Sequence, residues 1–231
     1  MEQLAVFGGI PVRDTPIHYG KQYIDKDDVA AVAETLEYGD LTCGPRIEEL
    51  ERKLCDVTGA KYAVAVCNGT AALHLAAMAA GFGEGDEVIV SAITFAASAN
   101  CVLYCGAKPV FADINPQTYN IDPHAIERLI TPHTRGIVAV DFTGQSIEHD
   151  AVEAICKKHN LILIEDAAHA IGTKYSGRPV GSMADMTCFS FHPVKTVTAG
   201  EGGAITTNDE QLYRRLVRLR THGITRRREE M

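Results

Sequence analysis

A chain of 231 residues, 46% hydrophobic and 23% charged, has the balance of a folded globular protein, which excludes disorder and collagen-like repetition. That length suits one large domain with a core of its own and would cramp two. The net charge of −8 is uneven: seven arginines outnumber four acids from Asp209 to Met231, giving a local +3 against −11 elsewhere, which raises the question of a nucleic-acid-binding tail.

The N-terminus reaches Pro11 without a basic segment followed by an apolar core, so no secretory signal is expected and the cytoplasm is the default compartment. From Asp25 to Tyr38, Val29, Val32, Ala33 and Leu36 keep a helical period behind an acidic first turn, and Gly39 is expected to end that helix. Leu41 to Pro45 reads as a loop, after which Ile47, Leu50 and Leu54 carry a second helix to about Gly59. The apolar stretch Ala63 to Phe82 is interrupted by Asn68, Thr70 and His74, so no membrane span is expected.

Beyond Lys61, short apolar runs alternate with helical patterns. Tyr62 to Val66, Glu87 to Val90, Pro109 to Ala112, Gly136 to Val140 and Leu161 to Ile164 read as strands, each followed by a helix. This alternation predicts an α/β fold with a mostly parallel sheet flanked by helices. Thr187 to Phe191 and Gly203 to Thr207 have only a Gly-rich turn between them, so an antiparallel or hairpin element is expected to close the sheet. In the final stretch Leu212, Leu216 and Leu219 recur at helical spacing with arginines between them, the pattern of a solvated amphipathic helix, and no nucleic-acid partner is expected. The seven cysteines are scattered without CxxC spacing and read as buried free thiols, and no metal site is expected.

Ligands of open α/β sheets gather beyond the carboxyl ends of the strands, so the residues following each run are the candidates. Asn68, Gly69 and Thr70 open a helix, where unpaired N–H groups favour a phosphate, although an ordinary N-cap has the same appearance. Asp166 stands at a strand end, either capping a short helix from Ala167 or meeting a cation such as a protonated heterocycle. Lys195 stands among apolar residues and glycines, either snorkelling to water or set for Schiff-base chemistry with a lowered pKa. Anchor, ring-nitrogen partner and imine former, in this order, are what pyridoxal phosphate requires. A nucleotide-binding module without chemistry would need a GxGxxG turn, and Asn68 to Thr70 offers a single glycine.

With these residues in view, the chain resembles the DegT/StrS family of pyridoxal-phosphate sugar aminotransferases. The resemblance runs through LTCGP (Leu41 to Pro45), NGTAAL (Asn68 to Leu73), EDAAHA (Glu165 to Ala170) and SFHPVKTVTAGEGG (Ser190 to Gly203). It implies the fold type I scaffold, with an N-terminal arm over residues 1–24 and a cofactor-binding large domain over 25–231. Lys195 then matches the lysine that bonds the cofactor and shuttles a proton, and its presence argues against the dehydratase variants, which carry histidine there. Asp166 matches the partner of the pyridine nitrogen, and His169 a contact of the ring's phenolic oxygen. Gly69, Thr70 and Ser190 match phosphate contacts, and Phe95 matches the aromatic residue over the ring, although by itself it reads equally as a core aromatic.

The run from Tyr19 to Ile24, LTCGP, DFTGQ (Asp141 to Gln145) and LRTHGIT (Leu219 to Thr225) look most like the UDP-sugar 4-aminotransferases of pseudaminic acid synthesis. That sub-group implies UDP-4-amino-4,6-dideoxy-N-acetyl-β-L-altrosamine as product, glutamate as amino donor and a homodimer. Full-length members continue past the position of Met231 into a smaller domain that completes the site. The expectation is therefore a truncated aminotransferase, the alternative being an inactive fragment or one half of a split enzyme.

Overall fold

The computed structural model describes residues 3–18 and 20–224; Tyr19 and the run from Thr225 to Met231, part of the resemblance and of the basic tail, lie outside the described residues. Asp25 opens helix α1 (Lys26–Tyr38) with a reciprocal cap. Its carboxylate accepts from the N–H groups of Asp27 and Asp28, while the Asp28 side chain accepts from the Asp25 N–H. Pro45 starts α2 (Pro45–Thr58), and Gly59 ends it in the left-handed conformation. The apolar stripe of α1 meets no core: Val29, Val32 and Leu36 stay 61%, 60% and 65% exposed, and Val32 and Leu36 border a shallow groove shared with Leu50 of α2.

Strands and helices then alternate as β1 (Tyr62–Val66), α3 (Gly69–Ala80), β2 (Glu87–Ser91), α4 (Ala96–Tyr104), β3 (Lys108–Ala112), α5 (Pro123–Leu129), β4 (Thr134–Val140), α6 (His149–His159) and β5 (Ile162–Asp166). A two-residue hairpin follows, β6 (Lys174–Tyr175) with β7 (Arg178–Pro179), too short to leave a periodic signature. The chain continues with β8 (Met186–Ser190), β9 (Gly203–Thr207) and α7 (Glu210–Arg220).

The long strands form one sheet in the order β1, β9, β8, β5, β4, β2, β3. β2 with β3 and β4, β4 with β5, and β5 with β8 pair in parallel, as the alternation predicts. β8 and β9 form the expected antiparallel element. Its place was not legible in the sequence: β9 lies inside the sheet, its second edge pairing with β1 from Tyr62↔Thr207 to Val66↔Gly203.

Side chains alternate faces along each strand. Val88, Val90, Val138 and Ile164 join a core with α3, α4 and α7, whereas Ile89, Ile137, Ala139 and Leu163 join one with α5 and α6. Leu54 of α2 meets Phe189 and Phe191 in a third cluster. Leu216 is fully buried, worth about 2 kcal/mol in anchoring α7. The helix is amphipathic as expected, and Arg220 turns in to Glu51 and the Ala65 carbonyl. The reading of all seven cysteines as buried is corrected: Cys101, Cys156 and Cys188 are, Cys55 and Cys105 are half-buried, and Cys43 and Cys67 lie exposed on surface connections. Among the described residues no helix is long and apolar enough to cross a membrane.

Candidate active site

Because β1, β2, β5 and β8 run the same way, their carboxyl ends share one edge of the sheet, and every candidate residue is either the last of its strand or on the segment just beyond it. At the first, the Asn68 side chain caps α3 by accepting from the Ala71 N–H at 2.8 Å. The first-turn N–H groups of Gly69 and Thr70 have no intrahelical acceptor, and the helix dipole adds positive potential there. Two glycines allow this helix start to press against the neighbouring strands. A Cβ on Gly69 would stand 2.8 Å from Ser190 Cβ, and one on Gly203 would stand 2.5 Å from the Asn68 carbonyl carbon. Gly69 therefore packs against the Ser190 side chain, with Thr70 next to it in the same first turn, and these are the groups here that could hold a phosphate.

Asp166 ends β5 and is 5% exposed. No helix follows it; the chain turns at Ala167 to Ala170, so the reading of Asp166 as a helix cap is set aside. Oδ2 accepts from Ser98 Oγ at 2.5 Å, and Oδ1 from the Ala168 N–H at 3.2 Å. Burial pushes the carboxyl above its usual range, while Ser98, Ala168, Lys195 and His169 act the other way. A cation arriving at this carboxylate would relieve the burial penalty.

Lys195 sits on the turn after β8, its N–H bonded to the His192 carbonyl at 2.9 Å. Its Nζ lies 2.9 Å from His169 Nε2. Burial and the Lys195 ammonium push the His169 imidazole below its ordinary value, so a neutral ring accepts from the amine. Phe95 is not the core aromatic that its type alone allows. It is the N-cap of α4 and 74% exposed, one turn before Ser98.

On the other face of β5 is a second polar cluster whose members the sequence did not single out as a group. Glu165, fully buried on the opposite face of β5, meets His149 Nε2 at 2.5 Å and accepts from Thr187 Oγ1 at 2.8 Å. Asp141, also fully buried, accepts from the Ile147 N–H at 2.9 Å, and its Oδ2 has no partner among the described residues. Burial and the Glu165 carboxylate push Asp141 well above the usual range, which favours its protonated form. The DFTGQ loop that Asp141 opens packs against the turn after β5, where a Cβ on Gly144 would stand 2.9 Å from the His169 carbonyl oxygen. Ser98 was also missed. Its signal is a lone hydroxyl in the run Ala96, Ala97, Ser98, Ala99, one turn after Phe95.

Residues 22–231 match the DegT/DnrJ/EryC1/StrS aminotransferase family. The spore coat polysaccharide biosynthesis protein SpsC of Bacillus subtilis (strain 168) is 46% identical over 208 residues, 90% of this chain and 54% of that protein. The GDP-perosamine synthase of Caulobacter vibrioides is 48% identical over 181 residues, 78% and 49% of the two chains. Among solved structures, Helicobacter pylori PseC, an aminotransferase of pseudaminic acid biosynthesis, superposes with a TM-score of 0.86 at 38% identity, covering 91% of this chain and 57% of that one. The PLP form of the putative sugar aminotransferase Spr1654 from Streptococcus pneumoniae gives 0.86 at 35% identity, covering 90% and 59%. The chain spans about half the length of the curated relatives it matches.

Proposed function

We propose that this chain, which belongs to the DegT/DnrJ/EryC1/StrS aminotransferase family, binds pyridoxal 5'-phosphate at the strand ends and aminates a nucleotide-linked sugar. The substrate in this reading is a 4-keto-6-deoxy sugar derived from UDP-N-acetylhexosamine, and the amino donor is glutamate. The names of GDP-perosamine synthase and PseC support a nucleotide sugar and a product of the pseudaminic type. The observation that carries the reading is the pairing of two groups in one cleft: a buried carboxylate with acceptor capacity to spare, and a primary amine 2.9 Å from an imidazole.

The residues present fit the cofactor, since an anion cradle, an acid and an amine are the three features it needs. When bound, pyridoxal phosphate supplies a carbonyl for the amine and a protonated ring that withdraws electrons from the carbon being deprotonated. The N–H groups of Gly69 and Thr70 and the Ser190 hydroxyl hold the phosphate in this proposal. Asp166 accepts the ring N–H and keeps a proton on that nitrogen, because an unpaired buried carboxylate is costly and a cation beside it is not. Lys195 Nζ is the nucleophile and then the base that lifts a proton from one carbon and returns it to another. His169 aims Nζ by accepting its hydrogen bond and lies where the ring's phenolic oxygen would be read. Phe95 covers the ring face and limits its tilt.

Residues 25–231 form the cofactor domain in this scheme, 1–24 an arm, and two copies associate in the cytoplasm. Leu103 and Tyr104 on α4 and Phe111 on β3, all more than half exposed, support association. The test is glutamate-dependent amination of the UDP-linked 4-keto-6-deoxy sugar, followed by mass spectrometry. Product from the wild type and none from Lys195→Ala is expected; equal turnover by the variant would overturn the mechanism.

A further inference from the structure

We propose that Ser98, supported by Thr94, is a positioning residue that holds the Asp166 carboxylate in place for a cationic ring nitrogen. This rests on the cofactor reading above and adds two residues to it. Ser98 is fully buried in the first turn of α4, with its Oγ 2.5 Å from Asp166 Oδ2 and 2.6 Å from Thr94 Oγ1. The direction of this chain follows from proton counting. A carboxylate has no proton to give and a hydroxyl has one, so Ser98 donates to Asp166 and Thr94 donates to Ser98 at 2.6 Å in preference to the Phe95 carbonyl at 3.3 Å. Each bond polarises the next, which strengthens the one that ends on the charge.

The other groups facing Asp166 do not replace this donor. Lys195 and His169 favour its ionised form from the cleft side, but the reaction calls on both of them. Cys101 of α4 and Cys188 of β8 lie against it as neutral thiols, Cys101 pushed by burial to about 12. Asp141, just after β4, is an acid, and Glu165, next to Asp166 on β5, points to the opposite face. Ser98 is thus the neutral side-chain donor that stays with Asp166 throughout. Phe95 caps the same helix one turn earlier, so the start of α4 carries both the group over the ring and the support of the group at its nitrogen.

The test measures binding of pyridoxal phosphate by visible titration across the acid range, for the wild type, Ser98→Ala, Thr94→Val, Asp166→Ala and the Ser98→Ala/Asp166→Ala double variant. Loss of a hydrogen bond to a buried charge predicts about 10- to 100-fold weaker binding for Ser98→Ala. The pH below which binding fades should rise by about one unit, because Asp166 then takes up a proton more readily. Thr94→Val should show the same changes to a smaller degree, and Ser98→Ala should add nothing once Asp166 is alanine. A Ser98→Ala loss that persists in the Asp166→Ala background, with no movement in the pH profile, would assign Ser98 a packing role and overturn the proposal. Unchanged binding by Ser98→Ala beside weakened binding by Asp166→Ala would overturn this inference alone. Normal binding by Asp166→Ala would overturn the cofactor reading and this inference with it.

Discussion

Glu165 and Asp166 are consecutive acids on one strand, yet the pleat sends them to opposite faces of the sheet and into opposite chemical situations. Toward α6, Glu165 is enclosed: an imidazole meets one oxygen, a threonine hydroxyl the other, and Asp141, its carboxyl pushed upward by burial and by Glu165, stands beside it. Toward α4, Asp166 takes one hydroxyl and one backbone N–H, and the Lys195 and His169 charges act on it from the segments beyond the strand ends. Each acid accepts two hydrogen bonds, one on each oxygen; Glu165 meets only an imidazole, a threonine and a second acid, and belongs to the framework. What surrounds each acid, rather than burial or hydrogen-bond count, separates the two here.

Removing the enclosed acid should be the most damaging change to the fold. Glu165→Ala strands His149, Thr187 and Asp141 in the interior and should cost about 3–5 kcal/mol by urea denaturation; a loss below 1 kcal/mol would dissolve the contrast. The open acid should behave the other way. Asp166→Ala should bind pyridoxal phosphate about 100-fold more weakly while the unliganded protein keeps its stability, because a carboxylate that burial disfavours is removed. A large fall in stability with unchanged binding would exchange the two roles.

Asp141 sharpens the comparison through pH. Its carboxyl is raised in the folded state, so the folded protein keeps a proton that the unfolded chain releases above about pH 4. The contribution of Asp141 to stability therefore falls as the pH rises from there through the folded value. Asp141→Asn removes that dependence, and the stability difference should move in the variant's favour as the pH rises; parallel curves would show that Asp141 is not protonated. The smallest effect is expected from Phe95→Ala, which should weaken cofactor binding by about 1 kcal/mol, the worth of one aromatic contact, without altering denaturation.

Most of the parallel sheet was legible because each strand alternates between two cores and each helix keeps its own period. The interior position of β9 was not, since antiparallel pairing to both β8 and β1 is a long-range choice that no local pattern encodes. α1 has the pattern of a buried helix and remains exposed, because periodicity shows which face is apolar and not what covers it. At the site, Asp166, Lys195 and Gly69 were visible as strand-end residues of unusual type. Ser98 and His149 were not, because a serine in an alanine-rich helix and a histidine at a helix start acquire meaning only from the acid that the sheet places opposite them.

The central claim is that Lys195 is the amine of a cofactor site assembled at the strand ends. Borohydride reduction of the chain incubated with pyridoxal phosphate, followed by peptide mapping, tests it most directly. The account predicts a visible absorption band that depends on Lys195, and a reduced adduct confined to the peptide that contains it. No band, or label spread over the surface lysines at equal levels in wild type and Lys195→Ala, would contradict it.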